Sequence, residues 1–543
     1  MRITHYLATA IILFSCNTKD SSTTDGSSSG TDTRYVNQTD TVYIVPNTEI
    51  TPANAYSDFF LDSNAVEQYI SSNNLTADDA RSFKSFYNYR NMQFAWFTSQ
   101  GFTEQAKGFW NLQDQLGSKA DKALRNRMDT LLNNDSLVIS RFDTSVQRTE
   151  LALTKAYLEF YRANRSKTHF ANVSPEMAIP VKKLNTLALA DTILSRRSDS
   201  VIGGSNSQYT LLRQKLQQYR SMANDTAWPA IKTSSKQLKK GSSSQDVSIL
   251  KRRLQLLSGS TYNDTSSIYN DSLTNIIKTY QMANRMRPTG TVTDSLLRLL
   301  NVPVEKRIQQ IIINLTRAQW MPATTDSTYI SVNIPDYILS VYENNNKVFD
   351  MPVAVGKEGT NTTIFTGNLN QVVFSPYWNI PVSIVKNEIL PKMRTDKNYL
   401  ASRNMERVGG SDSLPSIRQL PGKDNSLGKV KFLFPNRYDI YFHDTNAKGV
   451  FNQKTRAVSH GCIRLADAEK LANYLLRNDN AWTPEKINTA MNSNKEQYVK
   501  INKAVPVTIT YYTAWVDELG NLQFRDDLYG LDTRVGQMMF VNS

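Results

Sequence analysis

The run Ser459-His-Gly-Cys-Ile-Arg464, preceded in the chain by His443-Asp-Thr445, carries the most specific signal in this sequence. The chain of 543 residues has two cysteines and four histidines, so chance is a poor explanation for His-Gly-Cys beside a second histidine. A thiol attacks as the thiolate, and a free cysteine with a pKa of about 8.5 is scarcely ionised at neutral pH. An imidazole that accepts the proton of Cys462 would activate it, so the pattern indicates nucleophilic catalysis by cysteine and histidine.

Two histidines compete for the role of base. His460 lies two residues from Cys462, so in a strand the two side chains would point to the same side and lie parallel. His443 belongs to an earlier strand and can approach the thiol across the sheet. We therefore predict His443 as the general base, with Asp444 or a nearby backbone carbonyl orienting its ring.

The backbone around the thiol offers donors for a developing negative charge. Gly461 permits close approach of the chain, and the N–H groups of Gly461 and Cys462 are the predicted oxyanion donors. Arg464 either binds a substrate carboxylate or braces the loop. A zinc site made of the two histidines, the thiol and Asp444 is one alternative, since such ligands suit zinc, and an inert buried thiol is another.

Short runs rich in Val, Ile, Phe and Tyr surround this site and predict a mainly antiparallel β domain over residues 325–530. Lys431-Phe-Leu-Phe434 is one such run, and Asp467–Arg477 is a predicted helix. The polar segment 392–415 looks poor in strands. Because acyl transfer to an amine requires exclusion of water, we interpret 392–415 as a possible lid.

The upstream half of the chain is predicted to be helical. Over residues 49–235, Thr76 begins a capping-box pattern and aromatic residues recur at helical spacing, which favours a helical domain with an aromatic core. Residues 236–302 predict a small three-helix domain, in which Asp246 would cap the first helix. Residues 531–543 are predicted to be a tail.

The N-terminus is predicted to be a targeting segment. Residues 1–15 fit a secretory signal peptide, and Leu13-Phe-Ser-Cys16 resembles a bacterial lipobox, which implies lipidation at Cys16. An ordinary signal peptide is the alternative. Residues 16–48 are rich in Ser, Thr, Asp and Gly and predict a flexible tether.

The amino-acid composition excludes some kinds of site and some binding partners. Two cysteines exclude a disulfide framework and a structural zinc site built from cysteines. The net charge of +14 favours an anionic partner, and charge alone does not separate membrane, cell-wall polymer and nucleic acid. For a secreted protein, cell wall or lipid is the better match, so we predict no nucleic-acid partner.

A signature of the L,D-transpeptidase (YkuD-type) catalytic domain resembles this pattern. It consists here of His443 and, sixteen positions later, the run Ser-His-Gly-Cys-Ile-Arg that begins at Ser459. The flanking Pro376-Tyr-Trp-Asn-Ile-Pro381 and Arg418-Gln-Leu-Pro-Gly422 also agree. The order of domains is similar to that of the large periplasmic YcbB-type members. This likeness implies a helical scaffold domain, a peptidoglycan-binding-like domain, a linker helix at 303–324 and an antiparallel β catalytic domain.

The resemblance implies peptidoglycan cross-linking without a cofactor or metal. Cys462 would attack the third residue of a tetrapeptide stem, D-alanine would leave, and a second stem would form a 3→3 link. His443 would transfer protons, and carbapenem-type β-lactams would acylate the thiol. The likeness also places supporting or substrate-binding residues around the site, namely Ser459, His460, Arg464, Trp378 and Tyr441.

Other interpretations remain open at this point. The same site could hydrolyse stem peptides as an L,D-carboxypeptidase, or the chain could be a lipid-tethered wall anchor without enzymatic activity. The three-helix domain either binds glycan or acts as a spacer. The predicted location is the periplasm of a diderm bacterium, on a membrane through a lipid anchor, with the outer membrane favoured.

Overall fold

The protein is described here by a computed structural model. The predicted signal peptide, Cys16 and most of the predicted tether lie outside the described residues, as do the last two residues of the predicted tail. No helix in the described part of the chain is long and apolar enough to cross a membrane. All described residues fall in the unit Tyr43–Ser543. The described residues are 45–115, 121–132, 139–140, 143–164, 174–195, 207–223, 228–232, 237–258, 264–321 and 327–541.

The region before residue 235 is mainly helical, as predicted. Thr76 caps its helix by accepting a hydrogen bond from the backbone N–H of Asp79, at 3.2 Å, and its hydroxyl donates to the Asp79 carboxylate. The aromatic residues that recur at helical spacing, including Trp96 and Trp110, are buried in one core cluster. The elements are α1 (Ser63–Ser72), α2 (Ala77–Tyr89), β1 (Phe97–Thr98), β2 (Gly101–Phe102), α3 (Glu104–Gln115), α4 (Lys122–Leu132), α5 (Thr144–Asn164), α6 (Thr186–Ser195) and α7 (Gln208–Ala223).

A three-helix unit with its own apolar core follows, and a long helix leads out of it. Val247, Leu250 and Leu254 are buried on one face of the first helix, which matches the predicted spacing. That helix begins at Gln245, so Asp246 lies in its first turn and the prediction that it is the N-cap is wrong. The Asp246 carboxylate instead accepts the backbone N–H of Lys232 at 2.9 Å. The helices are α8 (Gln245–Ser258), α9 (Asp271–Ala283), α10 (Asp294–Leu300) and α11 (Val304–Gln319).

The region from residue 327 onward contains the longest of the described strands. Most of the apolar runs in the sequence form strands, and the predicted helix is present as α14. Its elements are β3 (Thr328–Asn333), β4 (Ile338–Glu343), β5 (Asn346–Gly356), β6 (Phe365–Phe374), β7 (Trp378–Asn379), α12 (Val382–Ile384), α13 (Leu390–Thr395), β8 (Met405–Gly410), β9 (Pro415–Gln419), β10 (Val430–Leu433), β11 (Phe442–His443), β12 (Ala457–Ser459), β13 (Ile463–Leu465), α14 (Ala468–Leu476), α15 (Pro484–Met491), β14 (Gln497–Thr510), β15 (Ala514–Val516), β16 (Leu522–Phe524) and α16 (Leu531–Met539).

Nine of these strands form one sheet in the order β12-β5-β13-β11-β10-β6-β14-β3-β4. Strand β5 also pairs with β4, so the sheet closes on itself around a core of Val, Ile, Leu and Phe side chains. Among the described strands, the pairs β11–β13, β12–β5 and β14–β3 are parallel and the other pairs of this sheet are antiparallel. The predicted mainly antiparallel domain is therefore confirmed.

A smaller subdomain interrupts the large sheet between β6 and β10, and we call residues 378–419 the cap. It consists of the sheet β7-β9-β8 and short helices packed around a separate apolar cluster that includes Ile384, Ile389 and Ile417. The prediction that 392–415 is poor in strands is wrong, because β8 lies within it. The side chains of β8 are largely exposed, so the strand lacks the alternation of apolar and polar residues that reveals half-buried strands.

Candidate active site

The predicted base and nucleophile lie at the ends of two neighbouring parallel strands: His443 is the last residue of β11, and Cys462 directly precedes β13. In the register of β11 and β13, Phe442 is opposite Ile463 and His443 is opposite Arg464. Phe442 and Ile463 are fully buried in the core of the closed sheet. Because side chains alternate along a strand, the residues next to Phe442 and Ile463 point away from that core. The residues on this outer face are Tyr441, His443, Cys462 and Arg464.

His443 is held as a neutral base. Its Nδ1 lies 2.5 Å from the backbone carbonyl oxygen of Asp444. A carbonyl only accepts hydrogen bonds, so Nδ1 carries the proton and Nε2 has a free lone pair. Burial and the nearby positive charge of Arg464 lower the pKa of His443 to about 4. The ring is therefore neutral at physiological pH, with the lone pair of Nε2 free.

The carboxylate of Asp444 has a different role from its carbonyl. It forms an ion pair with Lys448 Nζ at 2.6 Å and accepts the backbone N–H of Lys429 at 2.9 Å. It packs against Gly428, where any Cβ atom would collide with it. Of the two predicted orienting groups, the structure thus places the backbone carbonyl against the imidazole and the carboxylate away from it.

The thiol of Cys462 is stored in its protonated form. It donates to the carbonyl oxygen of Asp439, with Sγ 3.6 Å from that atom, and Tyr441 contributes hydrogen bonds from its backbone N–H and its hydroxyl. Burial raises the pKa of the thiol to about 11, although the hydrogen bonds from Tyr441 oppose this shift. Among the described residues no hydrogen bond joins Cys462 to His443. The thiol must therefore leave Asp439 before it can transfer its proton to the imidazole.

The turn between β12 and β13 differs from expectation at Gly461. The N–H of Gly461 donates to the hydroxyl of Ser459 at 3.2 Å, and that hydroxyl donates to the Cys462 carbonyl at 2.5 Å. The Gly461 N–H is thus occupied in this conformation. Glycine is required here by the backbone conformation, because φ is +114°. Steric exclusion is not the reason, since a Cβ atom would meet nothing closer than 3.8 Å. The N–H of Cys462, which makes no hydrogen bond with the described residues, is the better placed oxyanion donor.

The remaining predicted residues fall into two groups. Arg464 lies beside the thiol, and its buried Nε has no hydrogen-bond partner among the described residues, which leaves it able to bind a carboxylate. His460 is exposed and points to the cap, where its Nε2 lies 2.7 Å from Glu388 Oε1. Trp378 belongs to the cap as well, in β7 opposite Gln419.

The arrangement does not gather a metal-binding set. Within the described residues no group of three or more His, Cys, Asp and Glu side chains could hold a metal ion. The carboxylate of Asp444 and the ring of His460 turn toward different partners, so the alternative zinc site is not assembled.

Sequence reasoning missed the loop that holds the thiol. Asp439 adopts φ of +52°, and two residues earlier Arg437 forms ion pairs with Asp114 and Asp129 of the helical region. These partners lie more than 300 residues earlier in the chain, so no local pattern could have revealed them. The helical region thereby fixes the loop whose carbonyl contacts Cys462.

Comparison with known proteins agrees with this picture. Residues 327–499 match the family model of the L,D-transpeptidase catalytic domain, YkuD, and residues 81–216 match that of a scaffold domain. A curated Haemophilus influenzae protein named "Putative L,D-transpeptidase" is 32% identical over 243 residues, which cover 42% of this chain and 49% of that protein. The chain thus spans about half the length of this relative.

Solved structures give weaker similarities. An L,D-transpeptidase from Mycobacterium smegmatis is 14% identical, with 34% of this chain and 58% of that chain covered and a TM-score of 0.20. An L,D-transpeptidase from Stackebrandtia nassauensis is 12% identical, with 51% and 97% covered and a TM-score of 0.21. The family match therefore rests on the sequence model and the curated relative.

Proposed function

We propose, from the premise that residues 327–499 are an L,D-transpeptidase catalytic domain, that the protein forms 3→3 cross-links between peptidoglycan stem peptides through an acyl-enzyme on Cys462. The observation that carries the proposal is the shared outer face of β11 and β13. There a neutral imidazole with a free Nε2 accompanies the one cysteine that the structure describes. Cysteine and histidine on one face are the components of covalent acyl transfer.

The reaction proceeds in two balanced steps. In the first, the thiol proton passes to His443 Nε2, sulfur attacks the carbonyl of the third stem residue, and a tetrahedral oxyanion forms. The C–N bond to D-alanine then breaks, and the imidazolium returns the proton to the leaving amine. In the second step the side-chain amine of another stem attacks the thioester, the C–S bond breaks, and the thiol regains a proton through His443.

Substrate binding has to activate the resting thiol. In the resting geometry the hydrogen bond to Asp439 holds the proton of Cys462, and the raised pKa of the thiol disfavours the thiolate. A stem peptide that occupies the space above the face would displace the thiol toward His443. Hydrogen bonds in unliganded active sites are often long and tighten only in the complex. Arg464 would hold a stem carboxylate beside the reacting carbonyl.

The cap supports transfer to an amine over hydrolysis. Glu388, in the π-helical turn Val385–Ile389, contacts His460 one residue before Gly461, so the cap and the nucleophile loop are joined directly. A cap closed over bound substrate would exclude water from the thioester. We assign residues 392–415 of the cap to the lid.

The proposal also includes the cellular location of the enzyme and its inhibition by carbapenems. Lipidation at Cys16 and a tether over residues 16–48 would hold the enzyme on a membrane in the periplasm, where stem peptides are accessible. The strained carbonyl of a carbapenem would be attacked by Cys462 as a substrate carbonyl is, and would leave a stable acyl-enzyme.

The test is intact-mass spectrometry of the full chain incubated with a disaccharide tetrapeptide. We expect an adduct on the wild-type protein that resolves to a 3→3 dimer. Cys462→Ala should give neither adduct nor dimer, whereas Cys16→Ala, which removes the other cysteine, should behave as wild type. An adduct that resolves only to tripeptide would indicate a carboxypeptidase, and the absence of any adduct would refute the proposal.

A further inference from the structure

We propose that Arg285, Arg456 and Arg525 form a binding site for an oxyanion of the carboxylate or phosphate type, separate from the thiol site. Arg285 follows α9 of the three-helix unit, Arg525 follows β16, and Arg456 directly precedes β12. The three side chains surround Asp336, in the turn between β3 and β4. The inference does not depend on the reaction proposed above.

Two of the three guanidinium groups are already paired. Arg285 contacts both carboxylate oxygens of Asp336 at 2.9 Å, and Arg525 Nε lies 2.8 Å from Asp336 Oδ1. Arg525 also donates to the backbone carbonyl of Phe524 at 2.8 Å. Asp336 is only 7% exposed, so this one carboxylate is shared between two cations and has little capacity for a third.

Arg456 lacks such a partner. It is 8% exposed, and its guanidinium lies over the ring of Tyr337, with 5.3 Å between the guanidinium carbon and the ring centroid. Its Nε is buried without a hydrogen-bond partner among the described residues. A buried guanidinium nitrogen without an acceptor is costly, so Nε of Arg456 points to an acceptor that the described residues do not provide.

The charge balance around Arg456 favours an anion. Burial and the neighbouring Arg285 lower the pKa of Arg456, and Asp336 opposes this effect only in part. Among the described residues, the other carboxylate that acts on Arg525 is that of the exposed Asp526. A guanidinium offers a planar pair of donors, which matches the two oxygens of a carboxylate or phosphate. An oxyanion between Arg456 and Arg285 would therefore satisfy the unpaired donors and relieve the repulsion between these cations.

The position of Arg456 connects this site with the nucleophile loop. The carbonyl oxygen of Arg456 accepts the backbone N–H of Val355 at 2.9 Å, at the start of the β5–β12 pairing. Strand β12 ends at Ser459, whose hydroxyl binds the backbone of Gly461 and Cys462. An anion on Arg456 would thus fix the beginning of the strand that leads to the thiol.

The experiment is calorimetric titration of the full chain with inorganic phosphate and, separately, with succinate. We expect saturable binding of at least one anion, and about a tenfold or greater loss of affinity in Arg456→Met. If only phosphate binds, the natural ligand is a phosphate group; if only succinate binds, it is a carboxylate. Arg477→Gln, at an exposed arginine that also lies over a tyrosine ring, should bind as wild type. Arg464→Gln removes any second binding event at the thiol site, so the isotherm of this variant reports the three-arginine site alone.

A second measurement separates a ligand site from a structural arginine. Without ligand, the melting temperature of Arg456→Met should equal or exceed that of the wild type, because an unpaired buried charge is removed. If Arg456→Met does not fold, Arg285→Gln, whose side chain is 41% exposed, should still weaken anion binding several-fold. The proposal is overturned if neither anion binds, or if the arginine variants that fold bind the anion as wild type.

Discussion

The imidazole of His443 is oriented by the backbone of Asp444, whose carbonyl oxygen lies 2.5 Å from Nδ1, while the Asp444 carboxylate binds Lys448. In a triad of the Ser-His-Asp type, the carboxylate itself fixes the tautomer of the histidine. Here a peptide carbonyl fixes it, and a carbonyl does not depend on the identity of the side chain. The orientation of the His443 ring therefore does not depend on the negative charge of the Asp444 side chain.

The first prediction compares the base with its neighbour. His443→Gln should lower kcat/KM for transpeptidation by about 10²–10⁴-fold, because the proton acceptor is removed. Asp444→Asn should lower it by less than about tenfold, since the carbonyl remains, whereas loss of a triad aspartate costs about 10⁴-fold in kcat. Steady-state kinetics of cross-linking would measure both. A loss for Asp444→Asn as large as that for His443→Gln would show that the carboxylate acts in catalysis.

The second prediction concerns the reactivity of the thiol. Burial raises the pKa of Cys462 to about 11, and only the thiolate reacts with iodoacetamide. Without substrate, the alkylation rate should therefore keep rising from pH 7 to above pH 10, where an ordinary cysteine has reached its plateau. The rate is followed by intact mass, with Cys462→Ala as the blank. A plateau below pH 8 would mean that the resting site already stabilises the thiolate.

The third prediction links His443 to stability. Its pKa is about 4 in the folded protein and about 6.5 in an unfolded chain, so between these values the unfolded state binds the extra proton. The stabilising contribution is complete above about pH 6.5 and is lost as the pH falls toward 4. Thermal melts from pH 7 to pH 4 should show a shallower decline for His443→Gln than for the wild type. Equal slopes would contradict a depressed pKa.

Much of the site could be predicted because its signals are local. The alternation along Tyr441-Phe-His443 and Cys462-Ile-Arg464 identifies which side chains share a face, whatever the rest of the fold. The choice of His443 over His460 also depended only on strand geometry. The atom that orients the imidazole could not be predicted. The carboxylate and the backbone carbonyl belong to the same residue, Asp444, and only the folded conformation decides which of them faces His443.

The features that could not be predicted depend on distant partners or on exposed elements. Nothing near Glu388 indicates that it meets His460, and strand β8 is hidden because most of its side chains face solvent. Helix α15 is a different case. Thr483 accepts the N–H of Lys486 and Pro484 occupies the first turn, so the capping signal was present in the sequence and was overlooked.

The fourth prediction tests the contact between the cap and the nucleophile loop. Glu388 and His460 are 45% and 37% exposed, so their contact is worth at most about 1 kcal/mol. Glu388→Ala should therefore raise the ratio of hydrolysis to transfer by no more than about fivefold, through more frequent opening of the cap. Product analysis by chromatography measures this ratio. Asp412→Asn, which breaks an exposed pair with Arg407 at the far end of the cap, is the matched control and should leave the ratio unchanged.

The fifth prediction concerns the anchor between the helical region and the loop that contacts the thiol. Arg437 binds Asp114 and Asp129 and lies against the Trp110 ring, two residues before the carbonyl of Asp439. Arg437→Ala frees this loop, so we expect a several-fold slower acylation of Cys462 by a carbapenem and a shift in the pH dependence of its alkylation. Combining Asp114→Asn with Asp129→Asn should reproduce both effects, and adding Arg437→Ala should then change little, because all three changes remove the same contact. Two outcomes would mean that the anchor contributes to stability and does not position the nucleophile. One is that the effects of the variants add; the other is that the alkylation profile is unchanged while the melting temperature falls.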